Sequence, residues 1–189
     1  MSPQARSVAA IAEIADAARR RFGEQGYDAT SIDEIAADAG RTKGAVYHHF
    51  PDKRALFDHV LAIEQREIAE IVARSSTLPD GVDAYLRTIA TRPGAARIML
   101  TDGPTVLGWD RWRACDGGPF RSMMRASLDA YGSLATRHDL DLLTEVLLGA
   151  VTEAAQQVVA SSDRPASARG FAAELRVILE SLLRPTPPD

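Results

Sequence analysis

Apolar residues recur at intervals of three and four along almost the whole chain, and neither strict alternation nor runs of Val, Ile, Thr and Tyr interrupt them. That period belongs to helices, so the pattern predicts an all-α fold. Gly26, Gly40, Pro51, Pro79 with Gly81, Arg92-Pro93-Gly94, Asp102-Gly103-Pro104, Gly117-Gly118-Pro119, the Arg137 to Asp139 region and Asp163-Arg164-Pro165 cut it into about nine pieces. The connections are short, as in helix bundles. A first helix, about Gln4 to Glu24, sets Ile11, Ile14, Ala18 and Phe22 on one stripe and stops at Gly26.

A very short second helix has a strong start signal. Ser31-Ile32-Asp33-Glu34 is a capping box, in which the Ser31 and Glu34 side chains satisfy each other's free backbone N–H groups. Ile32, Ile35, Ala36 and Ala39 give this helix an apolar face, and Gly40 ends it. Thr42 then caps a third helix, Lys43 to about His49, so residues 31–49 read as a helix-turn-helix. A fourth helix starts at the N-cap Asp52 and runs about 24 residues to Ser75, long enough to connect two modules. Further helices are expected at about 80–91, 94–101, 104–115, 119–136, 139–161 and 165–183, and residues 185–189 read as a frayed tail.

Composition narrows the class. The chain has 189 residues, 46% hydrophobic and 25% charged, enough to bury a core without metal or disulfide. A single cysteine, Cys115, excludes a disulfide framework and points to a reducing cytoplasm. The longest charge-free run, Ala154 to Ser162, falls far short of the roughly 20 residues that cross a bilayer, so no membrane partner is expected. Arg6, Glu13 and Asp16 stand where the apolar core of a secretory signal would lie.

The net charge of −4 argues at first sight against nucleic acid. Locally the balance reverses. The chain's two lysines, Lys43 and Lys53, both flank the third helix, and with Arg41 and Arg54 they make four basic groups against one acid, Asp52, over residues 41–54. This +3 patch can neutralise phosphates on an acidic protein. Thr30, Ser31, Thr42 and Tyr47 add hydroxyls. Taken singly, a capping box marks only a helix start, an aromatic is as readily core, and a charge cluster is commonly a solvated face. Their fixed order and spacing are what those separate readings leave unexplained. His48 and His49, being adjacent, point to different helical faces, so no metal site is expected.

Ile14-Ala15-Asp16-Ala17-Ala18, Phe22, Gly26-Tyr27, Thr30-Ser31-Ile32, Ile35-Ala36, Ala39-Gly40, Lys43-Gly44, Val46-Tyr47, His49-Phe50 and Lys53 resemble the N-terminal DNA-binding domain of TetR/AcrR-type transcriptional regulators. The resemblance runs from about residue 8 to residue 61, with departures at Arg21, where an apolar residue is usual, and Arg41, where a small aliphatic is. It implies a DNA-binding domain over 1–55 and a regulatory domain for ligand binding and dimerisation over 56–184. It implies that Thr42, Lys43, Ala45 and His48 face the groove, that Tyr47 and Lys53 hold phosphates, and that Gly44 lets the backbone approach DNA closely. Thr30, Ser31 and Arg41 complete the expected DNA-binding set. Arg21 is expected to lay its stem along the core.

The last two helices are the most apolar, and the resemblance places a four-helix dimer bundle there, with Leu147, Val151, Ala154, Leu175, Ile178 and Leu182 as candidate interface residues. A two-fold dimer also suits a palindromic operator. Between residues 85 and 124 gather most of the bulky polarisable side chains, Tyr85, Met99, Trp109, Trp112, Cys115, Met123 and Met124. Such a cluster is more commonly core than pocket, but the family keeps an effector cavity in this domain. The expected effector is a small, mainly apolar molecule met by that cluster, with Arg113 and Glu153 as polar anchors. No cofactor is expected. Neither a Gly-rich phosphate loop, His-Glu-x-x-His, Cys-x-x-Cys nor Gly-x-Ser-x-Gly occurs, so catalysis is not expected. The competing reading is a helical ligand-binding protein without sequence-specific DNA binding, favoured by the neutral balance of residues 1–55, eight basic against eight acidic.

Overall fold

Short polar side chains start most of the helices, each accepting a hydrogen bond from a backbone N–H in the first turn that would otherwise lack a partner. In the computed structural model, which describes residues 2–184 and all their side chains except those of Pro3 and residues 115–117, Ser2 caps α1 (Pro3–Gln25), Ser31 caps α2 (Ile32–Asp38) and Thr42 caps α3 (Lys43–His49). Asp52 accepts from Ala55 N at 2.7 Å at the head of α4 (Lys53–Val72), and Thr77 caps α5 (Leu78–Thr91). A single short turn, α6 (Pro93–Ala96), passes into a π-helical turn over Arg97–Asp102 and then α7 (Gly103–Leu107). The long helices α8 (Trp109–Asp129), α9 (Leu140–Ala160) and α10 (Arg164–Leu183) follow, the last two capped by Asp139 and Asp163. The described residues contain helices and no strand, and the fold is all-α. The expected tail, 185–189, and the side chain of Cys115 lie outside the described residues.

Several boundaries differ from the expectation, among them the end of α8, which comes at Asp129 where a helix to about residue 136 is expected. α8 continues through Gly117-Gly118-Pro119, because proline's fixed φ fits a helix even though its missing N–H removes a ladder bond. The break falls instead at Gly108, whose φ of 78° suits a residue without Cβ. α4 stops at Val72, three residues short of the expected end, and Thr77 starts the next helix.

The described residues gather into two compact units, residues 2–64 with 93–112, and residues 65–92 with 113–184. The core of the first unit is built from Ile14, Ala18 and Phe22 of α1, Ile35 of α2, Val46 of α3, and Leu56, Phe57, Val60 and Leu61 of α4. Phe22, Tyr27 and Phe57 form a ring cluster with centroids 5.2–5.7 Å apart. Arg19 closes a two-bond ion pair on buried Glu64, at 2.6 and 2.9 Å.

Residues 93–112 are fastened into this unit by polar bonds of long sequence separation. Tyr27 N donates to Asp102 Oδ2 at 2.9 Å, and Arg97 donates to Glu24 O at 3.1 Å. Arg54 donates to Val106 O and Leu107 O at 3.1 and 2.8 Å, satisfying carbonyls at the end of α7. Trp112, fully buried, donates its indole N–H to Met99 O at 2.7 Å.

In the second unit α10 packs on α5 and α9 through Leu86 and Ile89, Leu147, Ala155 and Val158, and Ala168, Leu175 and Leu179. Arg176 ties α10 to Asp80 of α5 at 2.7 Å. Arg113 and Arg121 of α8 both pair with Glu145 of α9, and Tyr85 meets Phe120 edge-on at 5.3 Å. By length and composition α9 is the one described helix that could cross a membrane. Its apolar character has a local cause: one face packs against α5 and α10, and Leu142 and Val146 extend the apolar surface to the other.

Candidate nucleic-acid interface

Only one side chain of α3, Val46, is buried, and it anchors the helix from beneath with Phe50 following it into the core. Everything expected to read DNA therefore depends on which way that single anchor turns the helix. With Val46 inward, Thr42, Lys43, Gly44, Tyr47 and His48 all lie exposed, and Ala45 is half-buried among them. Thr42 Oγ1 accepts from Ala45 N at 3.2 Å, which fixes where the helix begins. The turn before it depends on Gly40, whose φ of 62° suits glycine.

The second helix is clamped from both sides. Ser31 Oγ accepts from Glu34 N at 3.2 Å while Glu34 accepts from Ser31 N at 2.9 Å, the reciprocal capping the sequence motif predicts. Arg21 is half-buried, so only its charged end stands clear. Its guanidinium reaches across to α2, pairing with Asp38 at 2.6 and 2.9 Å and with Glu34 at 3.2 Å. The Asp38 carboxyl is held below its ordinary range chiefly by its hydrogen bond from Arg21, and Glu34 chiefly by its hydrogen bond from Ser31. An arginine at an unusual position thus became the strut between α1 and α2.

The four basic groups of residues 41–54 are all engaged. Lys43 Nζ pairs with Asp33 at 2.9 Å, and Arg41 pairs with Glu13, its Nε donating at 2.9 Å. Lys53 Nζ donates to Tyr27 O and Thr30 O at 2.8 and 2.9 Å and stands 4.1 Å over the Tyr27 ring. Arg54 holds the carbonyls at the end of α7. Of the expected hydroxyls, Ser31 and Thr42 are exposed, whereas Thr30 is buried and donates to Gly26 O at 2.8 Å. Thr30 and Lys53 therefore hold the 26–30 loop in shape. Sequence reasoning missed Glu13, Asp33 and Tyr27, because nothing in linear spacing reveals a partner carboxylate or ring brought in from another helix.

The expected effector residues divide between the units. Met99 and Trp112 are core of the first unit, and Trp109, 57% exposed, lies ring to ring with Trp112 at 5.1 Å. Tyr85 and Met124 are buried in the second unit, where Met123 and Arg113 are half-buried. Glu153 is on the exposed side of α9, accepting from Gln157 at 2.7 Å. Of the expected interface residues, Leu147, Ala154 and Leu175 are buried in their own unit, Val151 and Leu182 half-buried, and Ile178 exposed. The large apolar side chains left open on this helix pair are Leu142, Val146, Val177 and Ile178. No group of His, Cys, Asp and Glu among the described residues could hold a metal ion.

Comparison with known proteins gives the same arrangement. Residues 14–60 match the family described as bacterial regulatory proteins, tetR family, and residues 75–182 match the tetracyclin repressor-like C-terminal domain. An HTH-type transcriptional repressor of Mycobacterium tuberculosis is 32% identical over 106 residues, 51% of this chain and 54% of that protein. The HTH-type transcriptional repressor AcnR of Corynebacterium diphtheriae is 36% identical over 95 residues, 48% of this chain and 50% of its own. The matched stretch thus spans about half the length of these curated relatives. A crystal structure of a TetR-family transcriptional regulator from Pectobacterium atrosepticum superposes with a TM-score of 0.73 at 27% identity, covering 98% of this chain and 100% of that one. With both halves matched in order, and the capped helix pair where the family places it, the chain belongs to the TetR family of bacterial regulatory proteins.

Proposed function

We propose that this chain is a cytoplasmic DNA-binding transcriptional regulator, a repressor that binds a palindromic operator as a homodimer and leaves it when a small, mainly apolar molecule binds. The observation that carries the reading is the outward face of α3, where Thr42, Lys43, Gly44, Tyr47 and His48 stand exposed over a single buried anchor, Val46. A helix dressed in this way presents base-reading and phosphate-holding groups together. Ala45 can touch a thymine methyl, Lys43 can donate to guanine O6 and N7, and Tyr47 can hold a phosphate. Thr30 and Lys53 contribute through the loop they support.

One seven-residue helix covers too few base pairs to specify a site, so two copies are needed. The exposed Leu142, Val146, Val177 and Ile178 supply an apolar face for a second copy. Residues 1–55 act as the DNA-binding domain and 56–184 as the regulatory one, with Tyr85, Met123, Met124 and Arg113 meeting the effector. Residues 93–112 belong to the regulatory domain in sequence and pack with the DNA-binding helices, which makes them a route for the effector's influence. Coupling of this kind is typically ~1–3 kcal/mol and requires the effector to prefer the DNA-incompetent state. Selection of bound fragments from genomic DNA tests the reading: an enriched palindrome supports it, and a folded protein that enriches no sequence overturns it.

A further inference from the structure

Two of the four basic groups around the recognition helix are already neutralised by carboxylates from other helices. Arg41, in the turn, pairs with Glu13 of α1, and Lys43, at the first position of α3, pairs with Asp33 of α2. The remaining two are bonded to backbone carbonyls, Lys53 to Tyr27 O and Thr30 O, and Arg54 to Val106 O and Leu107 O. The +3 of residues 41–54 therefore falls to +1 once Glu13 and Asp33 are counted with it. A passing phosphate meets a patch whose mobile cations are occupied.

We propose that Glu13 and Asp33 set the strength of DNA binding, holding Arg41 and Lys43 back from phosphates so that duplex of every sequence is bound more weakly and only an operator, with its added base contacts, is bound well. The proposal rests on the DNA-binding reading above. Both pairs are solvent-exposed, Lys43 and Asp33 at 53% and 66% of their side-chain surface, so each is weak enough to exchange. Exchange carries a penalty that DNA of any sequence meets: the released carboxylate stays beside the phosphates, and it gathers a counterion as the phosphate releases one. Operator DNA offsets that penalty through base contacts of Thr42, Ala45 and His48, and random DNA does not. The carboxylates thus lower binding to both kinds of duplex, and base contacts leave the operator the one that is still bound tightly.

The test uses full-length protein, wild type and the variants Glu13→Gln and Asp33→Asn, titrated with random-sequence duplex and with selected operator over a range of salt. Each variant should bind random duplex roughly fivefold more tightly, the scale of one unit charge at about 4 Å in water. Its salt slope should steepen by about one, because the freed cation neutralises one more phosphate. Operator affinity should rise by a similar factor, since the carboxylate weighs on both duplexes. Thermal melts confirm that both variants remain folded, and either variant alone suffices. A folded variant with wild-type slope and affinity on random duplex overturns the inference while leaving the DNA-binding reading standing. A variant that loses operator binding also overturns it, because the carboxylate is then a positioning group. Wild-type protein with no salt-dependent duplex binding overturns both.

Discussion

α3 and α9 face opposite problems. α3 buries one side chain of seven residues, whereas α9 buries Leu140, Thr144, Leu147, Ala154, Ala155 and Val158 along 21 residues and still leaves Leu142 and Val146 exposed. In α3 the lone anchor and two flanking caps decide which residues face out, so polarity alone reveals the outward face. In α9 the apolar residues wrap most of the helix, and periodicity cannot say which stripe meets the chain's own core and which is left for a partner. A working surface is legible when it contrasts chemically with the core behind it.

The comparison breaks most visibly if the support under α3 is removed. Phe22→Ala deletes a fully buried ring in contact with Tyr27 and Phe57 and should destabilise the first unit by about 3–5 kcal/mol, read as the midpoint of urea unfolding. A shift below about 1 kcal/mol would show that the α1–α4 core does not hold the helix pair. On the α9 side, Val146→Glu combined with Ile178→Glu places charges on the exposed row and should weaken self-association at least about tenfold by sedimentation, with the melt unchanged. Leu147→Ala should do the reverse, lowering stability by about 2–5 kcal/mol through its buried position. Equal loss of association from both changes would erase the distinction between the two stripes.

Smaller effects sharpen the account of α2 and α3. Ser31→Ala removes the cap that accepts from Glu34 N and should cost about 1 kcal/mol, with Ser31→Thr restoring most of it. Acid provides the last test. The Asp38 and Glu34 carboxyls are lowered in the folded protein, by Arg21 and Ser31 respectively, and Asp80 by Thr77 and then Arg176. A lowered carboxylate contributes stability that is complete above its unfolded value, about 4, and is lost as pH falls through the folded value. The melting temperature should therefore drop below about pH 4, and Arg21→Gln should make that drop shallower. An identical acid dependence in the variant would remove Arg21 from the strut.

The sequence made the helix-turn-helix legible because its signals are local: Ser31 with Glu34, Gly40, Thr42 and Asp52 each act within one turn of themselves. It misplaced the break near 117–119 because Gly and Pro mark a stop only where backbone geometry demands one, and Gly108 carries that demand. The roles of Lys53 and Thr30 were hidden for a different reason. Each looks like a phosphate-facing group in sequence, and each turns out to be bonded to backbone carbonyls of the 26–30 loop. Trp112 and Met99 likewise form the core of the first unit through a bond 13 residues apart, which no periodicity reports.

The central claim is that α3 reads duplex DNA, and the salt dependence of binding to a selected operator tests it most directly. Wild-type protein should lose affinity linearly in log salt with a slope of several units, at about −0.9 per neutralised phosphate. The folded double variant Lys43→Ala, Tyr47→Phe should bind more weakly and with a shallower slope, while His48→Ala should change which sequence is preferred at similar slope. Binding that is flat in salt, or a double variant indistinguishable from wild type, would contradict the account.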